Sequence, residues 1–508
     1  MAEKKHSSYD LLIEKSKSIH IYNSVLGLLH WDQETYMPPG GIQIRSEQIA
    51  QLSHLVHQEK TSKSYKHLLE DLVHLRTGAL KHKNLTKTEK VVVREWRRDY
   101  LRANKLPSSF VKTFSQLTSE ATQIWSIAKK DNNFKLFAPY LEKIVNMNRE
   151  KAAILGFSDH PYDALLENHE PCMTSARCSK IFDGLQKELK GLLKKINASK
   201  QLDIRFLHRK ITEDKQREIG HWIANAMPVN PDYTRLDLSS HPFSMAISPR
   251  DSRITTRYIP NAFMSNIFSV LHEEGHSMYE MGLPIEHWGT SLCQAASLSV
   301  HESQSRWWET FIGRSLPFWK HFYPKLQKIL PTDLKNISLE KFYRAIHLVT
   351  PSFIRVEADE VTYCLHIVLR FEIEKQLTEG SLSVADLPEA WNAKFKEFFG
   401  LTPPDNAQGC LQDVHWALGE FGYFPTYALG NILAAHLFSS FAKEHSDWAA
   451  RVEGGDLAFI REWLKEHIHR WGRMYNFDEL AKRATGKPIS EDAYCQYLKK
   501  KYSEIYKF

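Results

Sequence analysis

Cysteine is scarce in this chain: six in 508 residues, at Cys172, Cys178, Cys293, Cys364, Cys410 and Cys495, none in a C-x-x-C pair. That argues against a disulfide scaffold and for a reducing, cytoplasmic setting. No run of about 18 apolar residues occurs, so no membrane span is expected. The polar start, Met1 to Asp10, has no apolar core of a secretion signal. Neither sign of charge dominates, since 67 basic against 60 acidic residues leave +7. No Lys/Arg run marks a nucleic-acid partner, and the most basic stretch, Lys187 to Lys200, reads as a solvated helix face. Internal repeats and Gly/Ser-rich linkers are also missing, which favours one domain over several.

Helical periodicity fills most of the chain. A stripe of Leu11, Leu12, Ile19, Tyr22, Leu26 and Leu29 breaks at Pro38-Pro39-Gly40-Gly41. Further amphipathic helices are expected around 44–56, 88–103, 110–128, 139–153, 179–196 and 213–226. Between Tyr233 and Tyr258 the pattern turns extended, around a Ser248-Pro249-Arg250-Asp251 turn, and predicts a small antiparallel sheet. Thr350-Pro351 reads as the N-cap and first position of a long helix stopping near Gly380. Others should run from Pro425 through Phe438 and from Leu457 to Trp471. The expected fold is mostly α, one large domain over residues 1–508. Its N-terminal helical lobe covers about 1–200 and its remaining portion about 201–508, with a two-domain split near 200 as the alternative.

His272-Glu273-Glu274-Gly275-His276 carries the chemistry. Histidines at i and i+4 lie on one helical face and can reach one metal ion, while the intervening glutamate can aim at a metal-bound water. Chance would produce such a pattern in on the order of one chain in ten of this histidine content, so context must decide. Met264, Ile267, Phe268, Leu271 and Met278 form a buried-type stripe around it, and Gly282 followed by Pro284 ends it. Gly275 costs a helix about 1 kcal/mol against Ala, which calls for a close approach by another helix or by substrate.

A catalytic zinc site needs a third protein ligand, with water in the fourth position. Glu302 is the best candidate, and His301 is its adjacent rival. The two point about 100° apart on a helix, so only one can face the pair. A His272–His276–Glu302 set is hydrolytic in type and holds Zn2+, or Co2+, one ion per chain. Glu273 is then the general base. Trp307-Trp308 reads as core packing.

These segments resemble the M32 family, the carboxypeptidase Taq-like metallocarboxypeptidases, and the likeness spreads over nearly the whole chain. It rests on Leu29-His30-Trp31-Asp32 through Met37-Pro38 and Gly41–Arg45, on His241-Pro242-Phe243, and on Asp251-x-Arg253-x-Thr255-Thr256-Arg257-Tyr258. HEEGH through Tyr279-Glu280, His301-Glu302-Ser303-Gln304, Ile354 to Tyr363, Gly409 to Trp416 and Gly422 to Tyr427 complete it. Glu274 departs from the pattern, where small residues are more usual, and the helix should turn it away from the site.

The resemblance implies a helical fold with a deep central groove and a small sheet beside the metal-site helix. It also implies zinc, removal of single residues from peptide C-termini, and a homodimer. An exopeptidase needs a clamp for the terminal carboxylate, and a bidentate arginine suits it. Arg355 is the first choice, with a structural ion pair to Glu357, Asp359 or Glu360 as its alternative, and Arg253 and Arg257 come second. Tyr423 and His415 fit the family pattern as oxyanion donors. Gln304 and Gln412-Asp413 are candidates for orienting a ligand histidine. Two other functions stay open: an oligopeptide endopeptidase on a related helical scaffold, and a catalytically inactive peptide-binding protein.

Overall fold

A computed structural model describes residues 7–508, so the expectation drawn from Met1 to Asp10 falls partly outside the described residues. The first helix, Ser8–Thr35, begins at a reciprocal capping box between Ser7 and Asp10. Helices follow at Ile42–Thr61, Lys63–Leu72, Lys87–Lys105, Ser108–Lys130, Phe134–Leu155, Ser175–Asn197 and Glu213–Ala226. Most extend an expected segment by a few residues at each end. The short helix Lys63–Leu72 was not anticipated; Ser62 caps it after one non-helical residue.

Leu12, Ile19, Leu69, Val93, Trp96 and Tyr100 form a small hydrophobic cluster of the N-terminal helices, joined by Leu292 from far along the chain. The main cluster begins at Ala121 and runs to Tyr506, taking in Trp307 and Trp308, both fully buried. Both tryptophans therefore pack the core as expected. Among the described residues no helix is long and apolar enough to cross a membrane.

The extended region forms three strands, β1 (Thr234–Leu238), β2 (Ser244–Ser248) and β3 (Asp251–Thr256), in the order β1-β3-β2. The expected antiparallel pairing is that of β2 with β3, where Met245 faces Arg253. β1 instead runs parallel to β3, with Arg235 opposite Arg253, so the sheet is mixed. The segment through His241-Pro242-Phe243 reverses the chain, and β3 then inserts between the first two strands. β3 leads directly into the helix Phe263–Gly282, hereafter the HEEGH helix. Thr256 donates to the Asn266 amide oxygen (2.8 Å), and Asn266 donates to the Gln216 carbonyl (2.7 Å), which locks strand, helix and the Glu213–Ala226 helix together.

Two expected helices are redrawn. Thr350-Pro351 opens no helix: a single turn at Arg355–Glu357 precedes the helix Tyr363–Glu379, which stops at Gly380 with φ 93°. The cause is Asp359, whose carboxylate accepts from the Thr350, Val361 and Thr362 amides and from the Thr362 hydroxyl. These bonds hold a looped conformation that a helix would break. The second case is Ala458–His467, which ends before Trp471. Gly472 (φ 45°) then carries the chain against the Leu292 carbonyl, where a Cβ would sit 1.8 Å away. The helix Pro425–Glu444 begins where expected and runs past Phe438.

The HEEGH helix lies against Leu298–Arg306, hereafter the Glu302 helix, which continues into a π-turn at Trp307–Ile312. Gly275 permits this contact. A Cβ there would lie 2.6 Å from both the Gln304 carbonyl oxygen and Ser305 Cα, which are backbone atoms unable to move aside. Gly275→Ala is therefore expected to lower the unfolding midpoint. Its overpacking cost of about 1–3 kcal/mol outweighs a helix-propensity gain of about 1 kcal/mol. Gly40→Ala, with nothing within 4 Å of the added carbon, should leave the midpoint unmoved in the same thermal scan.

Candidate active site

One turn of the HEEGH helix presents His272 and His276 on a common face, their rings 4.9 Å apart. Glu302 approaches from the neighbouring helix, its Oε2 lying 3.7 Å from His272 Nε2 and 3.6 Å from His276 Nε2. All three donor atoms fall within 4.8 Å of one another. Tetrahedral zinc with bonds of about 2.0–2.1 Å needs donors about 3.3 Å apart, and the two distances from Glu302 come within a few tenths of an ångström of that.

The hydrogen bonds behind the donors agree with that reading. His272 Nδ1 meets Glu309 Oε2 at 2.9 Å, leaving Nε2 for the metal. His276 Nδ1 meets His301 Nδ1 at 2.6 Å, and His301 Nε2 meets Glu280 Oε1 at 2.9 Å. Read as donations from His276 to His301 to Glu280, the relay leaves the His276 Nε2 lone pair free. His301 is thus engaged behind His276, and Glu302 supplies the third converging donor. The other Glu302 oxygen accepts from Arg306 Nε at 2.8 Å, and Ser305 Oγ lies 3.1 Å from Oε2.

Glu309 was not anticipated. A signal was present, because Glu302, Arg306 and Glu309 recur at i, i+4 and i+7, the spacing of one helical face. Arg306 bonds both carboxylates, and Arg314 reaches Glu309 from the far side. Burial opposes ionisation of Glu309, but Arg306 beside it and the hydrogen bond from His272 hold it well below the usual carboxylate range.

Glu273, 6% exposed, sits in the same turn as the histidines. Burial pushes its carboxyl up to about 7, with His272 opposing that shift and Glu302 adding to it. Glu274 points into the protein interior, as the helical turn required. It is 1% exposed, its Oε2 has no partner, and burial alone raises its carboxyl to about 8.

Beyond Glu302 stands a wall of aromatic residues. The Tyr423 ring contacts His169 (5.1 Å), Tyr427 (5.3 Å) and His415 (5.4 Å), and His415 Nε2 meets the Tyr427 hydroxyl at 3.2 Å. Burial, reinforced by the charge of Glu302, keeps the Tyr423 phenol protonated, with its pKa pushed up to about 12. Burial pushes His415 down to about 3, so its imidazole is neutral. The structure therefore brings Tyr423 and His415 together, with Tyr423 within electrostatic reach of Glu302.

Arg355 is nearby and buried. Its Nε and Nη2 bond Asp413 Oδ1 (3.0 and 2.9 Å), and its Nη1 donates to the Tyr363 hydroxyl at 3.3 Å. Tyr363 in turn lies under the Arg306 guanidinium, 4.3 Å from the ring centre. One aromatic ring thus separates Arg355 from Arg306, which holds the metal-donor carboxylate. The expected rival partners are occupied elsewhere: Glu357 by Arg257, Asp359 by backbone amides, and Glu360 by Lys501 and Tyr502.

Arg370 also binds Asp413 (Nε to Oδ2, 2.7 Å), so two guanidiniums share one carboxylate. Arg253 pairs with Asp251 along its own strand and stacks on Trp31, while Arg257 is held by Glu357 at 3.1 Å. Neither is brought to the metal donors by these contacts. Gln304, Gln412 and Asp413 do not touch a ligand histidine. Gln304 is bound to His469, Gln412 accepts from the Arg355 amide, and Asp413 holds the two arginines.

Residues 11–502 match the family described as carboxypeptidase Taq (M32) metallopeptidase. This chain belongs to the M32 family. It is 40% identical to thermostable carboxypeptidase 1 of Thermus thermophilus, over 98% of this chain and 99% of that protein. Against carboxypeptidase 1 of Bacillus subtilis it is 38% identical, with 98% of each chain covered. The crystal structure of an M32 carboxypeptidase from Deinococcus radiodurans superposes with a TM-score of 0.95 at 32% identity, covering 99% of this chain and 100% of that one. The protein is accordingly a metallocarboxypeptidase, and His272, His276 and Glu302 form a group whose donor atoms could hold a metal ion. For this M32 enzyme, Glu309→Gln is expected to weaken metal retention by about 10–100-fold, because the His272 ring loses its orienting carboxylate. Competition with a calibrated chelator measures that loss.

Proposed function

We propose that this protein is a zinc-dependent exopeptidase, accepting Co2+ in the same site, that removes single residues from the free C-terminus of short or unfolded peptides. One observation carries the reading: along the Glu302 helix, the metal donors converge at Glu302 and the Arg306–Tyr363–Arg355 chain begins one turn later. A terminal carboxylate bound near Arg355 would set the last peptide bond beside the three donors.

When bound, the ion supplies Lewis acidity and lowers the pKa of coordinated water toward about 7. Glu273 then takes the water proton and returns it to the departing amine. The phenol of Tyr423 and the neutral imidazole of His415 are the donors available to the developing oxyanion. Arg355 is held rigid by Asp413 and Tyr363, which suits a bidentate clamp that must not reorganise on binding. Arg253 and Arg257 are left as outer contributors, the first facing Trp31 and the second at the Glu357 edge of the Arg355 turn. The whole chain acts as a single peptidase domain. Family likeness and the scarcity of cysteine support a homodimer in the cytoplasm.

Two experiments test this reading. Glu273→Gln should keep the metal while turnover falls roughly 10²–10⁴-fold; near-normal turnover in metal-loaded variant protein removes Glu273 from the base role. Incubating the metal-loaded enzyme with an unblocked peptide should yield, by mass spectrometry, a ladder shortened one C-terminal residue at a time. C-terminal amidation should stop it, since the clamp has no anion to hold. Equal cleavage of amide and acid would favour the endopeptidase alternative, and no cleavage of either would favour the inactive peptide binder.

A further inference from the structure

At the N-terminal end of the Glu302 helix lies a second feature, a cavity of about 500 Å³ lined by Lys60, Arg98, Arg102, Lys151 and Arg473 with Asp99 as its acidic member. The carboxylates at hand are already committed. Arg473 binds Asp99 in bidentate fashion (2.8 Å for each bond) and also Glu95, while Arg98 reaches Glu95 and Glu167. Among the described residues, Lys60, Arg102 and Lys151 have no carboxylate at ion-pair distance. Arg102 donates only to the Ala164 carbonyl, and Lys151 lies over the Phe114 ring. Glu420 acts on Lys151 only at longer range and sits 3.4 Å from His169. Burial lowers the pKa of all three cations, and the acidic groups that oppose it, Asp99 for Lys60, Glu167 and Asp99 for Arg102 and Glu420 for Lys151, act at longer range without pairing.

The position of this cavity relates it to the reaction. Ser297 and Leu298, the N-cap and first residue of the Glu302 helix, form part of its wall. His169, another wall residue, packs against Tyr423. Three landmarks therefore follow one another on a single helix: the cationic cavity at Leu298, the metal donor at Glu302, and the approach to Arg355 at Arg306. Each interval is four residues, or about 6 Å of helix.

A peptide whose C-terminus lies toward Arg355 runs its upstream residues toward Leu298. At about 3.4 Å per extended residue, side chains two to four places before the released residue enter the cavity. Its apolar portion, Ala103, Leu106 and Leu155, suits the methylene stem of a glutamyl side chain.

We propose that this cavity is a subsite for acidic side chains, so that peptides carrying Asp or Glu a few residues before the cleaved bond are the enzyme's preferred substrates. The inference rests on the carboxypeptidase reading above. Its test uses metal-loaded full-length enzyme and peptides sharing one C-terminal residue and a free carboxylate. Glu, Gln or Lys is placed in turn two, three and four positions upstream.

At low salt, kcat/KM for Glu should exceed that for Lys by about tenfold or more at one or two of these positions, and the ratio should shrink as ionic strength rises. In Lys60→Met/Lys151→Met protein, and more weakly in Lys151→Met alone, the ratio should fall toward one. Neither substitution breaks an ion pair, and an unchanged unfolding midpoint verifies the fold. Hydrolysis of all peptides at equal rates would overturn the subsite while leaving the carboxypeptidase reading intact. So would a Glu/Lys ratio unchanged in the double variant. Failure to hydrolyse any free-acid peptide would remove both.

Discussion

The contact of the HEEGH helix with the Glu302 helix is the constraint on which the rest of the site depends. Gly275 lets the two backbones meet closely enough for Glu302 Oε2 to stand between two histidines one turn apart. From the opposite side, Gly430 of the Pro425–Glu444 helix gives room to Glu302 itself, since a Cβ there would lie 2.7 Å from its Cβ and Cγ. The Glu302 side chain and its helix are therefore held between two glycines on different helices. Its position is set by backbone contact, which is stiffer than any side-chain hydrogen bond could make it.

Around that grip the buried charges are matched with few exceptions. Arg306 bridges Glu302 and Glu309, Arg314 adds to Glu309, and Arg355 and Arg370 share Asp413. Burial alone would neutralise these carboxylates. Their arginines keep Glu309 and Asp413 ionised, and the ionised Glu309 then orients His272. Against this background, the cations without carboxylate partners near Leu298 stand out, and an anionic substrate group is the natural complement to them.

Much of this was legible from residue order. The two histidines on one face, the glutamate between them and the bounds of the HEEGH helix follow from a 3.6-residue period with a Gly-Leu-Pro stop. Glu302 was reachable from the same logic, although His301 could be set aside only when its ring proved to be bonded to His276 and Glu280. Less visible was the loop before Tyr363. Thr350-Pro351 has the local signature of a helix start, but Asp359 recruits the same backbone amides into a turn. The parallel placement of β1 was hidden for a related reason, because alternation within a strand says nothing about which neighbour it joins.

Sequence by itself determined the helical class and the two histidines on one helical face, because these depend on local period and residue type. Only the tertiary structure decided which partners orient them. Glu309 and His301 stand behind His272 and His276, Asp413 fixes Arg355, and the Glu302 helix runs from the cationic cavity past Glu302 to Arg306. These pairings join residues tens of positions apart, and their distances are set by how closely whole helices pack. No periodicity within a helix carries that information; the two glycines that allow the closest approaches are its main trace in the chain.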